Sequence, residues 1–415
     1  MGRRRVAITG LGLVSPYGGD LEDFFGRLVA GESAVRYLQT SDVPVPLAVP
    51  FVSCPDFDAD ISLGRPLAGM MDRFAQLGTS AAFQAWSDAG LPRASSEESR
   101  ERWGVSWGSA MGGTFAVEKA YRDLWQRGRE RISPMSVVLA MSNAANAHIS
   151  IQLELGGVSI NHSVACASAA IAIGEAFCRV RSGESPLMLA GGSEAPQAYG
   201  VVRAWEALRV MASSDEHNCS RACRPFNADR AGLALGEGGS ALVLEDWDHA
   251  VARGARIHCE MVGYGTSCDH SHIVRPEMGG QVRAMEAALA DARLAPDEIG
   301  YVNAHGTATI EGDQIEISAL QQVFGEYAAN LPVSATKSMH GHQLGAAGAI
   351  EAIVTVLALR EKAIPPTAHL DNIDAACLGV DHVAAGRHVR GLSAALSNSF
   401  AFGGSNAVLA FRAVA

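Results

Sequence analysis

No stretch of this chain approaches the ~18 apolar residues of a membrane-spanning helix, so no membrane segment is expected. Basic residues are in deficit: 33 Lys and Arg stand against 44 Asp and Glu, a net charge of −11. With no basic stripe carrying interleaved aromatics, nucleic acid is not expected as a partner. An acidic partner would need a local basic patch. The eight cysteines (54, 166, 178, 219, 223, 259, 268 and 377) lack framework spacing. In a long chain this predicts reduced thiols and a cytoplasmic setting. His217-x-Cys219 with Cys223, and Cys268-x-His270-x-His272, imitate ligand clusters but lack paired zinc spacing, so no metal site is expected. Arg3-Arg4-Arg5 faintly imitates the start of a signal peptide, but Gly10, Gly12 and Pro16 break the apolar stretch after it, and no cleavage site is evident.

What is present is a well-buried globular composition, 48% hydrophobic and 19% charged, with 44 glycines for tight turns and close approaches. At 415 residues the chain exceeds one ordinary core and predicts two halves, 1–250 and 251–415. Strands are expected at 6–14, 103–109, 187–190, 240–244, 257–264, 299–304, 331–335, 391–397 and 407–412. Helices are expected at 21–30, 72–89, 118–128, 133–155, 167–180, 280–292, 312–324 and 344–360. Residues 38–66 and 213–238 read as loop. This alternation predicts an α/β fold with mainly parallel sheets.

Three junctions carry candidate chemistry. Val158-Ser159-Ile160 leads to Val164-Ala165-Cys166-Ala167-Ser168, and an apolar small-residue helix comes next, stopped by Gly183. A cysteine at a helix N-terminus meets unpaired N–H groups and the positive dipole end, which favour a thiolate. His305 (Asn303-Ala304-His305-Gly306-Thr307-Ala308-Thr309) and His342 (Lys337-Ser338-Met339-His340-Gly341-His342) end strands where α/β sheets bind ligands. Glu351, inside an apolar helix, requires a buried partner, and Lys337 is the obvious one. Asp313 and Glu316 share a helix face one turn apart, either orienting neighbours or solvated.

Taken together, these motifs resemble the β-ketoacyl-acyl carrier protein synthases, elongating enzymes of type II fatty-acid and polyketide systems. Arg224-Pro225-Phe226, Gly236-Glu237-Gly238 and Asn398-Ser399-Phe400-Ala401-Phe402-Gly403-Gly404 extend the resemblance over essentially the whole chain. It implies the thiolase-like α/β fold, two halves stacked α-β-α-β-α about a pseudo-twofold axis, usually dimeric. The function implied is decarboxylative condensation of a Cys-bound acyl chain with malonyl on acyl carrier protein, with no free cofactor. Cys166 would be the acyl acceptor, and His305 and His342 would serve malonyl decarboxylation. Lys337, held by Glu351, would support the histidines; Asp313 is a further supporting residue. Phe402 would supply a backbone N–H to an oxyanion hole. Phe400, Thr307, Thr309, Met111 and Trp205 would contact substrate. Asp269 and His272 fall in a segment resembling the family's mobile gate.

Three departures qualify the resemblance. Val164 stands where Thr is common. Met111 and Trp205 are bulkier than usual and imply a reshaped acyl tunnel. Pro66-Leu67-Ala68-Gly69-Met70-Met71 lacks the usual basic cluster, leaving Arg131, Arg209 and nearby Arg129 for carrier docking. A homodimer or a heterodimer with a homologous subunit is expected. The alternative function is a catalytically silent, chain-length-determining partner subunit, which typically loses the residues kept here.

Overall fold

The computed structural model describes residues 3–40, 43, 45–93, 100–214 and 216–414. Of the segments read as loop, positions 41, 42, 44 and 215 lie outside the described residues. Eleven strands form one sheet: β1 (Val6–Val14), β2 (Gly104–Gly108), β3 (Ser159–His162), β4 (Leu187–Glu194), β5 (Gly238–Asp246), β6 (Cys259–Cys268), β7 (Tyr301–Asn303), β8 (Pro332–Ser334), β9 (Asp381–His382), β10 (Ala394–Phe400) and β11 (Ser405–Arg412).

Their spatial order is β9-β8-β7-β10-β11-β6-β1-β5-β4-β2-β3. It reads the same outward from its middle, apart from the added β9. β1 corresponds to β6, β5 to β11, β4 to β10, β2 to β7, and β3 to β8. Strand directions repeat as well, since the two inner pairings of each half are antiparallel and the two outer ones parallel. The halves join where Val6, Ala7 and Ile8 pair with Met261, Glu260 and Cys259. The expectation of mainly parallel sheets is therefore corrected. Each chain reversal at β5 and β11 puts an antiparallel strand beside the first strand of its half.

Five layers result. Helices α1 (Arg73–Asp88) and α2 (Ala144–Leu153) cover one outer face, and α5 (Met278–Ala292) and α6 (Ile310–Phe324) the other. Between the half-sheets lie α3 (Ser168–Ser182) and α7 (Ala347–Glu361), packed on each other. Every residue of α7 from Ala347 to Leu359 is buried, as expected of a helix apolar on all sides. The two central helices need small residues to touch: a Cβ on Gly348 would lie 2.7 Å from the Ala170 backbone nitrogen. Gly183, at φ +81°, ends α3 as the sequence predicts.

Some local expectations fail for identifiable reasons. The supposed loop 38–66 contains strands Arg36–Thr40 and Leu47–Val52 in a small separate sheet, and short helices Ala59–Leu63 and Arg65–Ala68. Its prolines disguise the period-two pattern. β4 runs on through Gly191-Gly192-Ser193-Glu194, where the glycines permit close approach rather than ending the strand: a Cβ on Gly191 would lie 2.0 Å from the Ser240 carbonyl oxygen. The expected helix 133–155 is two helices, Met135–Ala140 and α2. Helix α4 (Tyr199–Ala207) was not anticipated. Among the described residues, no helix is long and apolar enough to cross a membrane.

Candidate active site

Cys166 sits where β3 turns into α3, one residue before the N-cap Ala167. The turn forces Ala165 to φ +45°, an uncommon conformation for a residue with a Cβ, and Cys166 remains only 6% exposed. His342 enters from the β8–α7 connection, its Nε2 lying 3.1 Å from Cys166 Sγ. His305, just beyond β7, is held edge-on to His342 with ring centroids 5.5 Å apart. His340, two residues before His342, faces elsewhere, bonded to Thr336 Oγ1 and the Gly341 carbonyl.

The support beneath His305 is ionic and buried. Lys337 Nζ donates to the His305 carbonyl oxygen at 2.7 Å, lies 3.3 Å from its Nδ1, and pairs with Glu351. Because an ammonium only donates, His305 Nδ1 is the acceptor and its Nε2 carries the hydrogen. Glu316 accepts from the backbone N–H groups of His305 and Gly306, each at 2.8 Å, and from Asn398 Nδ2 at 3.1 Å. Asp313 accepts from the N–H groups of Thr307, Ala308 and Phe226 and lies 3.3 Å from Arg230 Nε. Both carboxylates are buried, so they orient neighbours and the solvated reading fails.

Burial sets the protonation states. It holds both histidines well below the usual imidazole range, and Lys337 adds to the effect, so both rings are neutral near pH 7. The Cys166 thiol is pushed up to about 11, mainly by burial, although the Lys337 charge and a hydrogen bond from the Phe402 backbone N–H pull the other way. Burial thus opposes the thiolate that a helix N-terminus favours.

A cavity of about 310 Å³ opens onto Cys166, His305 and His342. Phe400, Phe402, Trp205, Thr307 and Thr309 also line it, and the two threonine hydroxyls are 2.9 Å apart. Segment 269–277 closes over one side: Asp269 accepts from Asn406 Nδ2 at 2.6 Å, and the Gly403 N–H donates to the Ile273 carbonyl at 2.7 Å. His272 faces its own turn, its Nδ1 accepting from the Val274 and Arg275 N–H groups. Arg209 stands at the cavity mouth. Met111 is not in this cavity but lines a separate one of about 400 Å³ with Tyr121, Trp125 and Gly200. Arg129 and Arg131 are exposed and line neither cavity, Arg129 lying 3.9 Å from Asp123.

Two supporting residues escape sequence reasoning. Glu194 accepts from the N–H groups of Ala110, Met111 and Gly345, and thereby ties the turn after β2 to the one before α7. Arg230 clamps Asp313. Nothing local marked either residue, since a carboxylate at the end of a strand such as β4 is an ordinary feature. All eight cysteines are free, and no group of three or more ligating side chains suited to a metal occurs among the described residues.

Models of the β-ketoacyl synthase N-terminal and C-terminal domains match residues 3–250 and 258–371. The chain belongs to the β-ketoacyl synthase family. It is 42% identical to nodulation protein E of a Rhizobium species, over 99% of this chain and 100% of that one. It is 39% identical to 3-oxoacyl-[acyl-carrier-protein] synthase 2 of Vibrio cholerae, with the same coverage. Among solved structures, a β-ketoacyl synthase from Burkholderia phymatum superposes with TM-score 0.90 at 35% identity, over 99% of this chain and 100% of that one. The ishigamide ketosynthase/chain length factor superposes with TM-score 0.90 at 31% identity over the full length of both. The synthase is thus an acyltransferase that forms carbon–carbon bonds, and the silent-subunit alternative is not favoured.

Proposed function

We propose that this synthase condenses a Cys166-bound acyl chain with malonyl carried on acyl carrier protein, using His305 and His342 for the decarboxylation. The observation that carries the reading is the convergence of Cys166, two neutral histidines and the Phe402 N–H on one cavity. Cys166 sulfur attacks the acyl thioester carbonyl, the carbon–sulfur bond to pantetheine breaks, and the proton lost by Cys166 leaves on the pantetheine thiol. Negative charge on the sulfur is met by His342 Nε2 and by the Phe402 N–H. Malonyl thioester then enters, its oxygen facing the two imidazole N–H groups. Loss of CO2 leaves an enolate that these donors stabilise. Its carbon attacks the acyl-Cys carbonyl, whose oxyanion the Cys166 and Phe402 N–H groups receive. Collapse expels the Cys166 thiolate, which takes a proton from water. The acyl groups arrive as thioesters, so the cycle needs no free cofactor.

Thr307 and Thr309, on the cavity wall, would bind the pantetheine arm, and Phe400 the acyl group; Asp269 and its segment would gate entry. Arg209 is the docking arginine best placed for the carrier. The division 1–250 and 251–415 belongs to the same reading, supported by the mirrored strand order.

A second subunit of the same fold would pack against β3, the last strand of the sheet, which among the described residues pairs only with β2. Beside it lies an exposed apolar band including Trp125, Val137 and Ile151, which are 77%, 70% and 67% exposed. An open edge next to such a band is what a protein buries in an interface. Three structural neighbours are named as ketosynthase complexes or ketosynthase/chain length factor pairs, which supports a paired assembly here. Met111 lies against this band and would shape an acyl pocket completed by the partner.

Intact-protein mass spectrometry after offering acyl carriers of several lengths tests the central claim, with Cys166→Ala as control. An acyl adduct on the wild-type chain alone is expected, and none with any primer refutes the reading. Native mass measurement tests the pairing, which a stable, active monomer would overturn.

A further inference from the structure

The Phe402 backbone is poorly fixed by its own segment. Residues 401–405 form a turn in which Gly403 and Gly404 adopt φ +85° and +75°, so two permissive residues stand directly after Phe402. Hydrogen bonds close the turn from Ala401 N–H to the Ser405 carbonyl and from Gly404 N–H to the Ala401 carbonyl. The Phe402 N–H takes no part in this closure and lies near enough to Cys166 to draw its thiol down. From outside the turn this backbone is held by the Gly403 N–H, which donates to the Ile273 carbonyl at 2.7 Å, and by the Phe402 side chain.

The Phe402 ring lies flat against Trp205, with centroids 6.0 Å apart and planes 16° from parallel, an offset stack within the attractive range. Trp205 belongs to α4, and its indole packs against a buried cluster of Phe51, Leu233, Leu235 and Leu344. The indole thus touches both the buried cluster and the aromatic ring of the glycine-rich turn. Both aromatic residues line the reaction cavity.

We propose that Trp205 is a positioning residue for acyl transfer, its stack on Phe402 aiming the Phe402 N–H at Cys166. The inference rests on Cys166 being the acyl acceptor. Trp205 itself need not touch the reacting atoms. Its contribution lies in the rate at which bound acyl thioester passes to the sulfur, not in how tightly a short thioester binds.

The test compares Trp205→Leu, which keeps bulk without a flat face, with Trp205→Phe, which keeps the face. Acylation of Cys166 by acetyl N-acetylcysteamine thioester is followed by rapid-quench mass spectrometry, since this short group avoids any effect of tunnel length. The Leu variant is expected to acylate about tenfold slower at saturation, less than the 10²–10³-fold cost of deleting an oxyanion donor outright. Half-saturation should stay near wild type, and the Phe variant should recover most of the rate. A Leu variant acylating at the wild-type rate overturns the proposal, as does a Phe variant no faster than Leu, or a loss seen only as weaker half-saturation. If the wild-type chain takes no acyl group, it is the assignment of Cys166 that fails, a separate outcome.

Discussion

Lys337 Nζ grips His305 at two points, donating to its carbonyl oxygen at 2.7 Å and standing 3.3 Å from its ring Nδ1. The ammonium thereby fixes both the ring's place and the nitrogen that carries its hydrogen. Lys337→Ala is expected to slow CO2 release from malonyl thioester by about 10²-fold, the scale of losing one oriented donor. Cys166 acylation should persist.

The same variant strands Glu351 without its cation inside α7, which costs about 3–5 kcal/mol when one member of a buried pair is removed. The double variant Lys337→Met with Glu351→Leu replaces both charges by apolar groups and should regain most of the lost stability in urea unfolding. It should not regain decarboxylation. Recovery of both together would mean that Lys337 acts only through stability.

Burial, which pushes the Cys166 thiol up to about 11, sets the pH dependence of its alkylation. A pKa raised above the ordinary value keeps the thiol protonated at neutral pH, and the reactive thiolate fraction then grows tenfold per unit. Iodoacetamide labelling of Cys166 should therefore accelerate steadily from pH 6 to pH 9. A plateau by about pH 7 would instead show a resting thiolate held by the helix N-terminus and His342.

Glu316 offers a way to separate the two half-reactions. Its carboxylate gathers the His305 and Gly306 N–H groups and the Asn398 amide, and touches nothing at Cys166. Glu316→Ala should release the His305 loop, lowering condensation by about tenfold or more while leaving Cys166 acylation within about twofold of wild type. Equal loss in both steps would show a general disruption of the half.

The parts of this site that were legible in the sequence were those marked by a local contradiction. Cys166 interrupts a run of alanines at a strand–helix border, and Glu351 is a charge in a helix with no polar face. Each required a physical explanation, and each leads to the cavity. Glu194 was illegible because a carboxylate at a strand end is ordinary; only folding shows that it collects N–H groups from two distant turns. Met111 and Trp205 looked alike as bulky residues, yet they line different cavities. The antiparallel pairs were missed because a buried strand reads the same in either direction, and the strands at 36–52 because proline hid their alternation.

Arg209 stands on the cavity mouth at φ +60°, just past the end of α4, where an incoming pantetheine arm would bring its phosphate and its acidic carrier. Arg131 is exposed but lines no part of that mouth. Reversing the charge with Arg209→Glu should raise KM for malonyl carrier protein about tenfold at low salt, and less at high salt, where screening removes the attraction. KM for a small malonyl thioester, which lacks the carrier and its charge, should hardly move. Arg131→Glu should have the smaller effect of the two. If Arg209→Glu weakens both substrates equally, the residue serves the cavity wall; if Arg131→Glu is the more damaging, the carrier docks on the apolar band and reaches the mouth from the partner's side.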